Sequence, residues 1–404
     1  MLIEKAYKTE LDPNKVQRTS LIKHAGTARF AYNWGLRRKQ ESYRETGKSP
    51  NAIALHRELN RLKQTELTWM YDVSKCAPQE ALRNLDQAFI NFFAGRAKYP
   101  KYKSRKRGIG TFRLTGLIKV GNSSVQLPRI GVVQLKEHNY IPTDKHVLSA
   151  TVSEKAGRWF VSVLVREEID VPANNGGPTV GVDLGIAKLA TVSDGTVIQN
   201  PHALVRHERK KKHLQRELAR KKKGSKNRAD AQRKLARCEM RIANIRRDAL
   251  HKATTWLTKT KSVIVVEDLA VQNMMKNHHL AKSLADAGLG EFRRQLTYKA
   301  SWYGCRLIAA ARAYPSTKCC SACGAVKASM RLSERVYQCE RCGMVLDRDL
   351  NAARNLESLA SVPPVAGSWP ETLNACVKPE VHAYGQVPAD DPGTEHLWGE
   401  VPNG

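Results

Sequence analysis

The sequence predicts a multidomain α+β protein, and three observations lead there. Between residues 15 and 96, apolar residues recur at three- and four-residue steps, the period of a buried helix face. Between residues 110 and 170 the chain turns to alternating runs rich in Val, Ile and aromatic residues, the pattern of strands. From residue 179 an apolar strand–turn–strand is followed by long polar helices and then by a short buried strand, KSVIVVEDLA. At 404 residues the chain has room for two or three domains and a sizeable core.

The elements follow in order. LIKHAGTARFAYNWGLRRKQESY and SKCAPQEALRNLDQAFINFFAGR read as helices. The stripe of the second, Leu82, Leu85, Ala88, Phe89 and Phe92, is expected to be core rather than a platform for stacked bases. YPKYKSRKRG interleaves two tyrosines with Lys101, Lys103, Arg105, Lys106 and Arg107, and suits contact with phosphates at least as well as a solvated loop. VQLPRIGVVQL and VLSATVSEKAGRWFVSVLV read as strands, with EKAGR as a hairpin turn. EEIDVPANNGGPT is a linker. TVGVDLGIAKLATVSDGTVI then gives a strand, a tight turn carrying Asp183 and Gly185, and a second strand with Asp194-Gly195 as hairpin turn.

Residues 204–260 read as long and helical, interrupted near Gly224-Ser225. There RHERKKKHLQRELARKKKGSKNR, with Lys210, Lys211, Lys212, Arg220, Lys221 and Lys222, carries charge of almost one sign. Such a face would repel itself alone, so a polyanion is expected against it. LGEFRRQLTYKASWYGCRLIAAA reads as a further helical stretch. Seven of the 17 prolines lie beyond residue 361, so the tail, 361–404, is expected to be flexible.

Charge narrows the function. Lys and Arg number 68 against 38 acids, a net +30. The tail holds six acids and one lysine, so the rest of the chain sets 67 basic against 32 acidic residues, +35. An excess of this size suits a nucleic acid, whose condensed counterions are released on binding. No run approaches the ~20 apolar residues of a membrane helix. MLIEKAYKTELDPNKVQ has no apolar stretch behind its charges, so no secretory leader is expected.

Five of nine cysteines lie between Cys319 and Cys342. Cys320 and Cys323 form one C-x-x-C, Cys339 and Cys342 another, 15 residues apart, and Gly324 and Gly343 follow them. Two such turns facing each other make a tetrahedral thiolate cage for zinc, structural because four protein ligands close the shell. Cys319 breaks the two-residue spacing and is expected to be a bystander.

Three acids stand at element ends: Asp183 in VGVDLGI, Glu267 closing VIVVED, and Asp349 opening DLNAARNL. An acid in a buried strand is costly unless a cation offsets it. Oxygen ligands from separate elements suit Mg²⁺ or Mn²⁺, and two such ions ~3.5–4 Å apart serve phosphodiester hydrolysis. Periodicity leaves Glu267 or Asp268, and Asp347 or Asp349, open as ligands.

GVDLGIAKLATVSDG, VIVVEDL and DRDLNAARNL, with the CSAC…CERC knuckle between the last two and PSTKCCSACG leading into it, resemble the TnpB family of transposon-encoded, RNA-guided DNA endonucleases. FAYNWGL and PKYKSRKRG look like its N-terminal helical and wedge regions. The resemblance implies an RNase H-like (RuvC) nuclease core over 178–313 and 345–360 with an inserted zinc ribbon over 314–344. It also implies an N-terminal β-barrel-like wedge domain, 1–14 and 100–172, carrying a helical insertion over 15–99. Asp183, Glu267 and Asp349 become the metal-binding triad, Glu267 preferred over Asp268 and Asp349 over Asp347. A guide RNA from the transposon end, a DNA target with a short flanking motif, and a prokaryotic cytoplasmic, nucleoid-associated setting come with it. The competing reading is a zinc-ribbon nucleic-acid-binding regulator of transposition that does not cut. VGVDLGIAKLATV also resembles the first phosphate motif of actin-like ATPases, but their second Gly-containing phosphate loop is missing from the sequence.

Overall fold

Buried and exposed residues alternate along the first strand, β1 (Leu2–Asp12), which becomes the middle of a sheet completed more than a hundred residues later. The computed structural model describes residues 1–361 other than 313 and 332, and of Arg107 the backbone alone. The tail beyond residue 361, expected to be flexible, thus lies outside the described residues, as does the Arg107 side chain.

Three helices follow β1: α1 (Lys15–Thr46), α2 (Ala52–Thr65) and α3 (Cys76–Phe93). Asn14 starts α1 through a capping box, its side chain accepting from the Gln17 amide while Gln17 accepts from the Asn14 amide. Six strands come next: β2 (Thr111–Leu114), β3 (Lys119–Val120), β4 (Ser124–Leu127), β5 (Gly131–Leu135), β6 (His146–Lys155) and β7 (Arg158–Glu168). β6 and β7 form a hairpin whose two turn residues, Ala156 and Gly157, both take positive φ, the geometry of a type I′ turn.

The chain continues through β8 (Thr179–Leu184), β9 (Lys188–Val192), β10 (Val197–Gln199), α4 (Ala203–Arg220) and α5 (Lys226–Thr260). β11 (Val263–Glu267), α6 (Val271–Met274), α7 (His278–Ala287), α8 (Leu289–Trp302) and β12 (Arg306–Ala310) come after. A hairpin of β13 (Val336–Gln338) and β14 (Val345–Asp347) leads into α9 (Arg348–Ser358).

Two compact units result. One joins Met1–Asp170 to Leu204–Asn244; the other joins Val171–Ala203 to the chain from Ile245 onward. In the first, seven antiparallel strands run in the order β2-β6-β7-β1-β5-β4-β3. Among the described residues no ladder joins β2 to β3, an open sheet in place of the closed ring a barrel would need. Leu21 and Leu36 of α1, Leu82 and Leu85 of α3, and Val161 and Val163 of β7 share one core. In the apolar stripe of α3, Leu82 and Leu85 are fully buried and Phe89 packs on the same core from a half-buried position. Phe89 and Phe92 are partly exposed and meet Tyr99 edge-on at 5.5 and 5.3 Å, and Phe93 is 54% exposed. The helix runs past the core it packs on, so its last turn reaches solvent.

In the second unit the strand order is β10-β9-β8-β11-β12, with β8, β11 and β12 parallel. Here the sequence expectation fails at one point. RLIAA is strand β12, not the end of a helix. Gly304, at φ 64°, stops the preceding helix where a Cβ would overlap the Pro172 carbonyl, and the chain turns back beside β11. Alternation sorts this sheet into two faces. Val180, Val182, Ile264, Val266 and Leu307 join a core with residues of α5, α7 and α8. Val265 and Ala310 face the other way and pack with Leu356 of α9. At Gly181 a Cβ would overlap the Ala353 carbonyl, so α9 lies closer to β8 than any side chain permits.

Candidate functional site

Asp183 lies two residues beyond Gly181 on β8, so alternation turns it to the face that α9 covers. The parallel register pairs Val266 with Val182, which sets Glu267 level with Asp183 on the neighbouring strand. Glu267 shares the parity of Val265 and therefore the same face. Asp349 lies in the first turn of α9. Burial raises the Asp183 carboxyl well above the usual carboxylate range, and the nearby charges of Glu267 and Asp349 push it further in the same direction. The sheet and the helix thus gather three acids that repel one another.

Neighbouring acids are occupied differently. Asp268 has the opposite parity to Glu267 and is gripped by Arg293 of α8 and by Arg312, the latter at 2.8 Å. Asp347 caps α9, one carboxylate oxygen accepting from the Asp349 and Leu350 amides at 3.0 and 3.1 Å. Asp349 is held at one oxygen by Arg348, at 3.0 Å, and at the other by Lys188, at 3.6 Å; Lys188 also reaches Asp347 at 3.1 Å. Ser316 donates a hydrogen bond to Oε1 of Glu267. Oxygen-only donors, crowded by like charge and countered by two side-chain cations, fit divalent metal ions.

The four knuckle cysteines close more tightly. Their sulfurs all lie within 4.8 Å of one another, with Cys320 to Cys342 at 3.7 Å and Cys323 to Cys339 at 3.6 Å. Thiolates ~2.3 Å from a tetrahedral ion sit ~3.8 Å apart, close to these two separations, so the cage suits zinc. Gly324 and Gly343 take φ 72° and 73° behind the two pairs. Cys319 stands outside the cage, in a bridge to Val326. Among the described residues, the acids do not gather into so tight a group.

The predicted nucleic-acid residues fall in the first unit. The strap holding Lys101, Lys103, Arg105 and Lys106 is tied to α1: Asn33 bonds the Lys103 amide and carbonyl at 2.8 and 2.9 Å, and Tyr102 donates to Gln40 at 2.8 Å. Lys103 folds its ammonium over the Tyr32 ring at 3.8 Å. Lys101, Lys103, Arg29 and Arg113 line a cleft of about 460 Å³. Lys210 and Arg220 of α4 and Lys222 just beyond its end are exposed, and Lys221 partly so. Lys211 pairs with Glu239 and Lys212 with Glu208, so acids temper a face that reads as uniformly basic in sequence.

Sequence reasoning missed Lys188, Arg348, Ser316, Asn351 and Asn355. The two asparagines carried a signal, their i, i+4 spacing on one helix face. Lys188 carried none, because its partners come from an element 159 residues away.

A carboxylate cluster on adjacent parallel strands of a mixed sheet, with a cysteine cage in a strongly basic chain, suits a nucleic-acid-processing protein. Comparison with known proteins narrows the class. Residues 150–278 match a family described as probable transposase, 1–48 a helix-turn-helix domain, and 290–356 a Cas12f1-like TNB domain. Residues 1–48 here form one strand and one unbroken helix through Thr46. A Streptomyces pristinaespiralis protein provisionally named RNA-guided DNA endonuclease is 38% identical over 88% of this chain and 89% of its own. InsQ of Escherichia coli K12, with the same provisional name, is 35% identical over 87% and 91%. A solved mini-RNA-guided endonuclease, CRISPR-Cas_phi3, aligns over 90% of this chain and 93% of its own with 8% identity and a TM-score of 0.46, below the level at which folds can be equated. The chain belongs to the TnpB-like family of RNA-guided DNA endonucleases.

Proposed function

We propose that this chain is a transposon-encoded, RNA-guided DNA endonuclease that hydrolyses phosphodiester bonds at Asp183, Glu267 and Asp349. One observation carries the site assignment. Asp183 and Glu267 stand level on adjacent parallel strands, on the face crossed by the helix whose first turn carries Asp349. The three carboxylates would hold Mg²⁺ or Mn²⁺, and a divalent cation there supplies Lewis acidity toward a phosphodiester. Asp268 and Asp347 are left to brace and cap, because arginines and helix amides already engage them. The cysteine cage takes zinc as a structural ion and stiffens the segment between β12 and α9.

The parallel trio β8, β11 and β12, edged by antiparallel β9 and β10, supports an RNase H-like reading of the second unit. The strand-and-helix assembly of the first supports a wedge and recognition role. Lys101, Lys103, Arg105, Lys106 and the basic residues of α4 are proposed to follow phosphates of guide RNA and target DNA. A cytoplasmic, DNA-associated setting accompanies this activity.

The test is purification with co-expressed RNA, sequencing of the bound species, and cleavage of DNA matching it in Mg²⁺. A single defined RNA and programmed cutting are expected. Asp183→Ala should keep the RNA and lose the cutting. Random RNA fragments, or undiminished cutting by Asp183→Ala, would overturn the proposal. A protein that binds defined RNA and never cuts would instead be the transposition regulator.

A further inference from the structure

We infer that Ser316 is a positioning residue that connects the cysteine knuckle to Glu267; this rests on the metal-site reading above. The connection runs through two asparagines of α9. Asn351 is fully buried and Asn355 is 3% exposed. Asn355 spends both amide hydrogens on backbone carbonyls of the approach to the knuckle, Ser316 at 2.8 Å and Cys319 at 2.7 Å. Asn351 donates to the same Cys319 carbonyl at 2.7 Å and accepts from the Ser321 amide at 2.9 Å. Tyr314 donates to the Asn355 carbonyl at 3.1 Å. The peptide from Tyr314 to Ser321 is thereby sewn to the helix that carries Asp349.

Ser316 is the point where this seam reaches the sheet. Its backbone is held by Asn355 and its hydroxyl donates to Oε1 of Glu267. Ser316 is itself buried, 3% exposed. A glutamate has three side-chain torsions to fix, and a carboxylate that bonds a ligand usually needs an outer partner to choose among them. One hydroxyl does so here from a loop whose far end is the cysteine cage. The knuckle and the carboxylate centre therefore share one hydrogen-bonded frame, and order in the cage becomes order at Glu267.

Mn²⁺ binding to the full-length, nucleic-acid-free protein, followed by electron paramagnetic resonance, tests this, with zinc measured by elemental analysis. Ser316→Ala should weaken Mn²⁺ binding roughly ten-fold, the usual loss for a removed outer partner, with zinc content unchanged. Ser316→Thr, which keeps the hydroxyl, should restore it. Cys342→Ser should weaken Mn²⁺ binding too, and add little in a Ser316→Ala background, because both act through one route. Wild-type Mn²⁺ affinity in Ser316→Ala, loss of zinc from that variant, or full additivity in the double variant would each overturn the inference. Asp183→Ala separates it from the reading beneath. If Asp183→Ala loses Mn²⁺ and Ser316→Ala does not, only the role of Ser316 fails; if Asp183→Ala also binds Mn²⁺ normally, the carboxylate site fails.

Discussion

The cysteine cage and the carboxylate cluster are two candidate cation sites built on opposite terms. The cage is finished by folding: four sulfurs from two local turns already stand near tetrahedral spacing. The carboxylates come from three distant segments, repel one another, and are partly neutralised by Lys188 and Arg348. A closed shell of soft ligands makes a structural ion that leaves with difficulty. An open set of hard oxygens, shared with side-chain cations, would make a site where ions and phosphates can exchange. On the proposed reading a rigid structural ion would stand beside exchangeable ones, and the contrast can be broken or sharpened by mutation.

The largest effect is expected at the acids. Asp183→Ala, Glu267→Ala and Asp349→Ala should each lower cleavage by orders of magnitude while leaving the zinc content and the melting temperature near wild type. A dead Asp268→Ala or Asp347→Ala, beside an active Glu267→Ala or Asp349→Ala, would reverse the ligand assignment. The cage should answer the other way. Cys320→Ser or Cys342→Ser should drop zinc below the expected one ion per chain by elemental analysis and lower the melting temperature. Cys319→Ser should change neither, since its sulfur lies outside the cage.

A smaller effect tests the placeholders. Lys188→Met removes a cation from Asp349 and Asp347, and Mn²⁺ should then bind about two- to five-fold tighter, the range of a partly exposed ion pair. Unchanged or weaker binding would mean that Lys188 does not compete for the site. The smallest effect lies away from both sites. His24 is buried, accepts from the Ser74 amide at 3.0 Å and meets the Ser20 carbonyl at 2.8 Å, a geometry for the neutral ring. Burial lowers its pKa from 6.5. The unfolded chain therefore takes up this proton first, and the stability His24 contributes, complete above pH 6.5, fades as pH falls below it. A modest loss of melting temperature between pH 7 and 5 is expected, with a flatter slope in His24→Gln.

Much of this was legible in the sequence, because local patterns carry it. The cage follows from spacing alone, and the hairpins at Ala156-Gly157 and Asp194-Gly195 from turn chemistry. Family membership follows from three short motifs in order. Strand β12 was misread because RLIAA is as apolar as a helix face, and only Gly304 marks the break. The partial exposure of Phe92 was not legible because periodicity says which face is apolar, not how far the partner extends. The residues alone leave Glu267 or Asp268 open and the resemblance prefers Glu267; the parity of β11 against two cores, which no single strand displays, supports that preference.

Gly181 bears on how such a protein could be disarmed. Its missing side chain lets α9 rest directly on β8, two residues from Asp183 on one side and a single turn from Asp349 on the other. One added methyl would prise the helix off the strand and widen the gap between the acids. A guided nuclease could thus be converted into a guided roadblock, still loaded with RNA and still seated on its target, by changing a residue that carries no chemistry of its own.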